Sequence, residues 1–259
     1  MSTKVKFESL GGRLVKIPVV INGTIQTSFL LDTGAGVNVI SERLCTRIGC
    51  RRSGSYTGKR MSGEEITLEF TTIPQISVGN SAAEDVRAGV LDIFEKLPEE
   101  LGVIDGALSL RFFENQVFTI DYPASEVIIG GQPSGASVPI TIERDHEKVI
   151  AFIGMSDFGF FEIDTGNSMA VLNLPKASIA KIDLTSSSIK KVEGKNETGF
   201  PFVSYYAAIP ELRTAAGDII QKDPKVAFKK LIHDGVIGND FFKGKRVTFD
   251  IAHKELRFH

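Results

Sequence analysis

Two aspartates carry the chemistry that can be read from this sequence. Asp32 ends the apolar run Phe29-Leu30-Leu31 and is followed by Thr33-Gly34-Ala35. Asp164 ends Phe161-Glu162-Ile163 and is followed by Thr165-Gly166-Asn167. One Asp-Thr-Gly alone reads as a turn, because Asp and Gly are turn residues. Here each copy closes one hydrophobic run and opens another, Val37-Asn38-Val39-Ile40 and Met169-Ala170-Val171-Leu172, which points to a paired site. Two carboxyls at hydrogen-bond distance cannot both ionise at low cost, so one proton is shared and the pair titrates as a unit. Such a pair can hold a water, one carboxylate taking its proton while the other carboxyl protonates a carbonyl oxygen. The expected chemistry is direct attack of water on an amide, with no covalent intermediate and no metal. Gly34 and Gly166 would let backbone approach the carboxylates without a Cβ in the way. The hydroxyls of Thr33 and Thr165 would hydrogen-bond across to the opposite half and fix the geometry.

The surrounding elements repeat in the same order. Residues 13–21 are rich in β-branched side chains and end at Asn22-Gly23, a hairpin turn signal, and a strand over 24–31 then leads into Asp32. Residues 148–155, a turn at 157–159 and a strand over 160–163 lead in the same way into Asp164. A helix-like piece follows each Asp-Thr-Gly, at 41–48 with Ser41 as N-cap and at 174–180. Polar, Gly-bearing stretches at 54–63 and 194–199 come next, read equally as plain hairpin tips or as mobile covering hairpins. Strands ending at Ile73-Pro74 and Ile209-Pro210 and helix-like segments at 92–101 and 226–233 complete the parallel.

Asp164 lies 132 residues after Asp32, Pro210 lies 136 after Pro74, and Asp250 lies 129 after Asp121. Such constant spacing predicts an internal repeat of two lobes, 1–131 and 132–259, with the active site at their interface. The linker falls in Gly130-Gly131-Gln132-Pro133-Ser134-Gly135. Period-2 strands dominate, so the class expected is mainly β with short helices.

Composition narrows the function. The 259 residues are 42% hydrophobic and 24% charged, with 30 Lys+Arg against 32 Asp+Glu and a net charge of −2. No basic stripe points to nucleic acid, and no run reaches the ~18 apolar residues of a membrane helix. The first residues lack the apolar core of a signal peptide, so the chain as given reads as soluble and cytoplasmic, or as exported if a leader has been removed. The four histidines stand apart and the two cysteines form no Cys-x-x-Cys, so no metal site is expected. Cys45 is expected as a buried helix residue, a short-loop disulfide with Cys50 being the alternative. His233 and His253 are expected as ordinary histidines at element ends. No Gly-x-Ser-x-Gly elbow or phosphate-binding loop is present.

The paired motifs resemble the aspartic peptidases of the pepsin and retroviral-protease superfamily, from about Lys16 to Phe258. Three elements per half carry the resemblance: the apolar-apolar-Asp-Thr-Gly, a Gly-bearing flap loop, and a later apolar-apolar-Gly strand. The second half has that strand as Val236-Ile237-Gly238, whereas the first has Ala107-Leu108-Ser109, with Ser in place of Gly. The strand at Ser109 is therefore expected slightly further from the Asp32 loop. The halves are short for a pepsin, and the chain looks more like two retroviral-type subunits fused into one polypeptide, as in bacterial "aspartyl protease family" proteins. The resemblance implies a bilobal acid-protease fold of two pseudo-two-fold related, β-barrel-like lobes. It further implies a cofactor-free endopeptidase with Asp32 and Asp164 as the catalytic pair and a substrate held as an added strand. Tyr56-Thr57-Gly58 is the flap candidate, the alternative being a tyrosine packed on its own hairpin. Ala35 and Asn167 stand where pepsin-like enzymes carry a hydroxyl that supports the carboxylate. A lost donor raises a carboxyl pKa, so the optimum is expected to be mildly acidic. The competing reading is a peptide-binding or scaffold protein of the same fold with weak or no turnover. With both half-sites in one chain, a monomer is the expected state.

Overall fold

A computed structural model of the chain describes residues 2–12, 14–97, 99–196, 198–217 and 219–259. Two large sheets dominate, with few and short helices. The first, of eight strands, runs in the order Glu8–Leu10, Leu14–Ile21, Ile25–Leu31, Gly106–Leu108, Val39–Ile40, Ser81–Val90, Glu65–Val78 and Arg52–Lys59. Part of the thirteen-stranded sheet runs through the second half in matching order, from Ala136–Arg144, Val149–Met155, Gly159–Ile163 and Gly235–Ile237 to Ala170–Asn173, Lys225–Lys229, Pro201–Ala208 and Lys190–Lys195.

The two halves are joined by an antiparallel seam. Phe118–Asp121 pairs with Arg246–Asp250, flanked by Glu126–Ile129 and Thr3–Lys6 on one side and Glu255–Phe258 and Ala136–Arg144 on the other. At the centre Thr119 faces Thr248 with their hydroxyl oxygens 2.7 Å apart. Beside them the rings of Phe118 and Phe249 stack at 4.5 Å and 6°. One apolar core continues through this seam, with Phe29, Phe113 and Phe118 from the first half and Phe161, Phe228, Phe242 and Phe249 from the second fully buried.

Local chemistry accounts for the turns that hold the site strands. Asn22 and Gly23 both have positive φ, 51° and 69°, and the Thr24 N–H donates to the Ile21 carbonyl, which closes the hairpin into Ile25–Leu31. The helix Glu42–Ile48 starts at Ser41, whose side chain accepts from Leu44 N–H at 3.0 Å, and ends at Gly49 with φ 61°. Residues 130–135 carry no strand or helix, and Gly130, Gly131 and Gly135 all have positive φ. Cys45 is buried in the helix and is also bonded to Cys50, so the disulfide that the sequence reading treated as the alternative is the arrangement found.

Three expectations are corrected. Residues 226–233 do not form a helix: Lys225–Lys229 is a strand, parallel to Ala170–Asn173 and antiparallel to Pro201–Ala208. Its Val226, Ala227 and Phe228 are all buried, a short apolar run whose type is decided by strands available on both sides. The first-half strand does not end at Ile73-Pro74 but continues to Val78. Its partner register passes from Ile73↔Val86 to Gln75↔Glu84, skipping Pro74, which has no N–H to give. Residues 92–101 contain only single 3-10 turns, at Phe94–Lys96 and Glu99–Leu101, with residue 98 outside the described set.

Candidate active site

Each aspartate sits at the end of a strand held by a parallel neighbour. Ile25–Leu31 pairs with Gly106–Leu108, and the Asp32 N–H donates to the Leu108 carbonyl at 2.9 Å. Gly159–Ile163 pairs with Gly235–Ile237, and the Asp164 N–H donates to the Ile237 carbonyl at 3.0 Å. The strand before Ser109 is therefore as close to its aspartate as the strand before Gly238, contrary to the expectation from sequence. The halves differ one residue later. A Cβ on Gly238 would lie 2.4 Å from the Asn167 carbonyl oxygen, and Asn239 N–H donates to that carbonyl. Ser109 instead gives its N–H and hydroxyl to the buried Asn38 Oδ1, at 3.1 and 3.2 Å. An asparagine side chain thus does in the first half what direct backbone contact does in the second.

The two Asp-Thr-Gly loops are tied to each other. Thr33 N–H donates to Thr165 Oγ1 at 3.1 Å, and Thr165 N–H donates to Thr33 Oγ1 at 3.0 Å. Each hydroxyl donates in turn to a backbone carbonyl of the opposite half, Thr33 to Ile163 and Thr165 to Leu31. Both threonines are fully buried, so these four bonds are made away from water. The glycines lie against the opposite carboxyls. A Cβ on Gly34 would be 2.5 Å from Asp164 Cγ, and one on Gly166 would be 2.4 Å from Asp32 Cγ.

The carboxyls accept from their own loops: Gly34 N–H donates to Asp32 Oδ1 at 3.1 Å, and Gly166 N–H to Asp164 Oδ1 at 2.8 Å. Each also acts directly on the titration of the other. Burial raises the pKa of Asp32, against the lowering effect of the Asp164 hydrogen bond and of the Gly34, Ala35 and Gly166 N–H groups. Asp164 is pushed well above the usual carboxylate range, first by burial and then by the charge of Asp32 and of Glu162. Neither Ala35 nor Asn167 supplies a side-chain donor, since the Asn167 amide turns back to the Met169 carbonyl at 3.0 Å.

Tyr56, Thr57 and Gly58 lie within the strand Arg52–Lys59 rather than in a loop. The Tyr56 hydroxyl donates to Asp145 Oδ2 at 3.0 Å, and its ring meets Phe70 and His146 edge-on at 6.4 and 6.3 Å. It is thus packed on its own hairpin and pinned to the second half, the alternative given for it above. The hairpin tip at 60–64 is what crosses toward the second half. Ile232 N–H donates to the Met61 carbonyl at 2.9 Å, Asn196 Nδ2 to Glu64 Oε2 at 2.9 Å, and the Thr198 hydroxyl to Glu64 Oε1.

Three residues of the site were not singled out from sequence. Asn239 donates to the Thr165 carbonyl and accepts from the Tyr122 hydroxyl, which links the seam to the second Asp-Thr-Gly. Nothing in the local pattern marks either residue, because the contact spans 117 positions. Glu162 did carry a signal: it is a charge inside the apolar run before Asp164, at the place where the first copy has Leu30. Among the described residues no cluster of His, Cys, Asp or Glu has metal-holding geometry, and no helix is long and apolar enough to cross a membrane.

Residues 17–112 match the sequence profile of the aspartyl protease family. No curated protein is matched by the sequence. Among solved structures the chain is similar to basic 7S globulin from soybean, with TM-score 0.61, 12% identity, and coverage of 99% of this chain and 94% of that one. It is likewise similar to the structure described as edgp, with TM-score 0.59 and 12% identity over 99% and 94% of the two chains. Conglutin gamma, a basic 7S globulin from lupine seeds, gives TM-score 0.58 and 12% identity over 100% and 94%. At that identity these likenesses show a shared, mainly β fold and nothing of activity. The matched profile contains the first Asp-Thr-Gly, and it supports the aspartic peptidase superfamily for this chain.

Proposed function

We propose that the chain is an aspartic endopeptidase, built as two retroviral-protease-like lobes that meet at Asp32 and Asp164. The observation that carries this reading is the reciprocal Thr33–Thr165 bonding, which sets each carboxyl against the other half's glycine. A site assembled from buried, fully bonded threonines is preorganised for a single geometry.

In this reading the buried pair holds one shared proton; when it rests on Asp164, Asp32 is the carboxylate. A water between them gives a proton to Asp32 as its oxygen attacks the peptide carbonyl carbon, while Asp164 protonates the carbonyl oxygen. The tetrahedral diol then collapses: the C–N bond breaks, nitrogen takes a proton from Asp32, and Asp164 recovers its own from the diol. The substrate lies extended under the 60–64 tip, and one chain supplies both half-sites, so the unit of activity is the monomer.

A second reading, peptide binding with little turnover, is favoured by the bonds that tie the hairpin tip to the second half. Hydrolysis of an unfolded protein in heavy-oxygen water separates the two. The peptidase incorporates one heavy oxygen into each new C-terminal carboxyl and needs no added metal. Peptides that are retained but never cut would establish the second reading instead.

A further inference from the structure

Beside the Asp164 loop, cross-strand partners form the row Thr141, Phe152, Glu162, Val236 and Val171. Directly opposed residues share one face of a sheet. The matching row in the first half is Lys16, Leu30, Ala107 and Val39, so Glu162 stands where the first half has a leucine. The Glu162 side chain is only 2% exposed. Its Oε2 has no hydrogen-bond partner among the described residues, and His233 Nε2, at 3.7 Å, lies beyond hydrogen-bond reach. Buried polar atoms are seldom left unpaired, and one that is calls for an explanation.

Next to Glu162 opens a cavity of about 430 Å3 whose lining includes Phe152, Phe160, Ile232, His233, Glu143 and Asp234. Phe152 is the strand partner of Glu162 and the His233 ring stands 3.7 Å from its carboxyl, so two residues that line the cavity neighbour Glu162. Phe160 and Ile232 are the exposed apolar rim. Ile232 is bonded to Met61 of the hairpin tip, and Met61 packs with Val171 and Val236 of the same row. The cavity therefore lies on the second half's side of the site and shares Ile232 with the contact made by the hairpin tip.

An apolar rim beside a buried carboxyl suits a side chain with an aliphatic stem and a cationic end. Of the nearby carboxylates, Glu143 is paired with Lys148 at 3.7 Å and Asp234 with Lys176 at 2.7 Å, whereas Glu162 is left with an unmade bond. An acidic ligand would meet three carboxylates, and a purely apolar one would leave Glu162 as it is. We propose, resting on the peptidase reading above, that this cavity receives a lysine or arginine side chain of the substrate, with Glu162 as the specificity-determining residue. His233, with a quarter of its side chain exposed, is the wall that moves to admit the cation.

The test uses two otherwise identical peptides, one with lysine and one with norleucine at the position that maps to this cavity. It reads the ratio of kcat/KM for the pair within each enzyme form, which cancels any change in the dyad itself. Wild type should favour lysine by at least tenfold, because the bound cation displaces the Glu162 carboxyl proton and gains a charge-assisted bond, and Glu162→Gln, which has no proton to give up, should bring the ratio to within about twofold of unity. Wild type without that preference, or a preference that survives Glu162→Gln, would overturn the proposal. If wild type cuts neither peptide, the peptidase reading has failed and fluorescence anisotropy of the same labelled peptides decides the cavity. Tighter lysine binding that Glu162→Gln abolishes supports it, and equal binding overturns it.

Discussion

Gly34 approaches Asp164 so closely that a Cβ added to it would stand 2.5 Å from the carboxyl carbon. The reciprocal contact of Gly166 with Asp32 is closer still. Neither neighbour can retreat freely, because each carboxyl is bonded to its own loop and the two loops are tied by Thr33 and Thr165. Gly34→Ala should therefore displace a carboxyl by about an ångström, enough to cost roughly 100-fold in kcat/KM. Circular dichroism should still show a folded β protein. Activity within threefold of wild type would mean that the glycine contact is incidental.

Thr33 and Thr165 each give and receive across the seam. Thr33→Val leaves the Thr165 N–H and the Ile163 carbonyl unpaired in a dry place, at about 1–3 kcal/mol each. Urea denaturation should show a loss of about 2–5 kcal/mol, largely restored in Thr33→Ser, which keeps the hydroxyl. Equal losses in the valine and serine variants would assign the effect to packing.

Glu162 makes stability depend on pH in a stated direction. Burial, then the charge of Asp32, pushes its carboxyl up to about 8 from 4.5. The folded chain therefore holds this proton more tightly than the unfolded chain does. The stability so contributed is whole below about 4.5 and is lost as pH rises through about 8. Asp164 acts in the same sense. The unfolding free energy of wild type should fall between pH 5 and 8.5, and Glu162→Gln should flatten that fall. A wild-type stability that grows with pH over that range, or an equal fall in Glu162→Gln, would contradict this assignment.

Tyr56 and Glu64 separate the two ends of the covering hairpin. Tyr56→Phe removes one exposed bond to Asp145, worth about 1 kcal/mol or less, and should leave kcat/KM within about threefold. Glu64→Ala removes both side-chain bonds from the hairpin tip to Asn196 and Thr198, and should raise hydrogen exchange at 58–66 without changing Tm by more than a few degrees. Unchanged exchange would show that the Ile232–Met61 bond alone holds the tip.

How much of this was legible in the sequence follows from how local each signal is. Asp32 and Asp164 stand out because each ends an apolar strand and begins a turn within a few residues. Ser41, Asn22 and Gly23 are short-range capping and turn signals, and they hold. The strand Lys225–Lys229 is not legible locally, because Val226-Ala227-Phe228 fits a helix or a buried strand equally and only the distant strands on either side decide. Tyr56 was placed in a loop because Gly54 and Gly58 look like turn residues, yet both are absorbed into the strand or at its bulge near Arg52 and Ser55. The Tyr122–Asn239 link and the Asn38–Ser109 pair depend on contacts between remote positions, which no local pattern reports.

The most direct measurement is cleavage of an unfolded protein from pH 3 to 8 by wild type, Asp32→Asn and Asp164→Asn. The shared-dyad account predicts cleavage by wild type that peaks at mildly acidic pH and falls at least 1000-fold in either single variant, since neither carboxyl can do both proton transfers. Cleavage that survives both substitutions would contradict it.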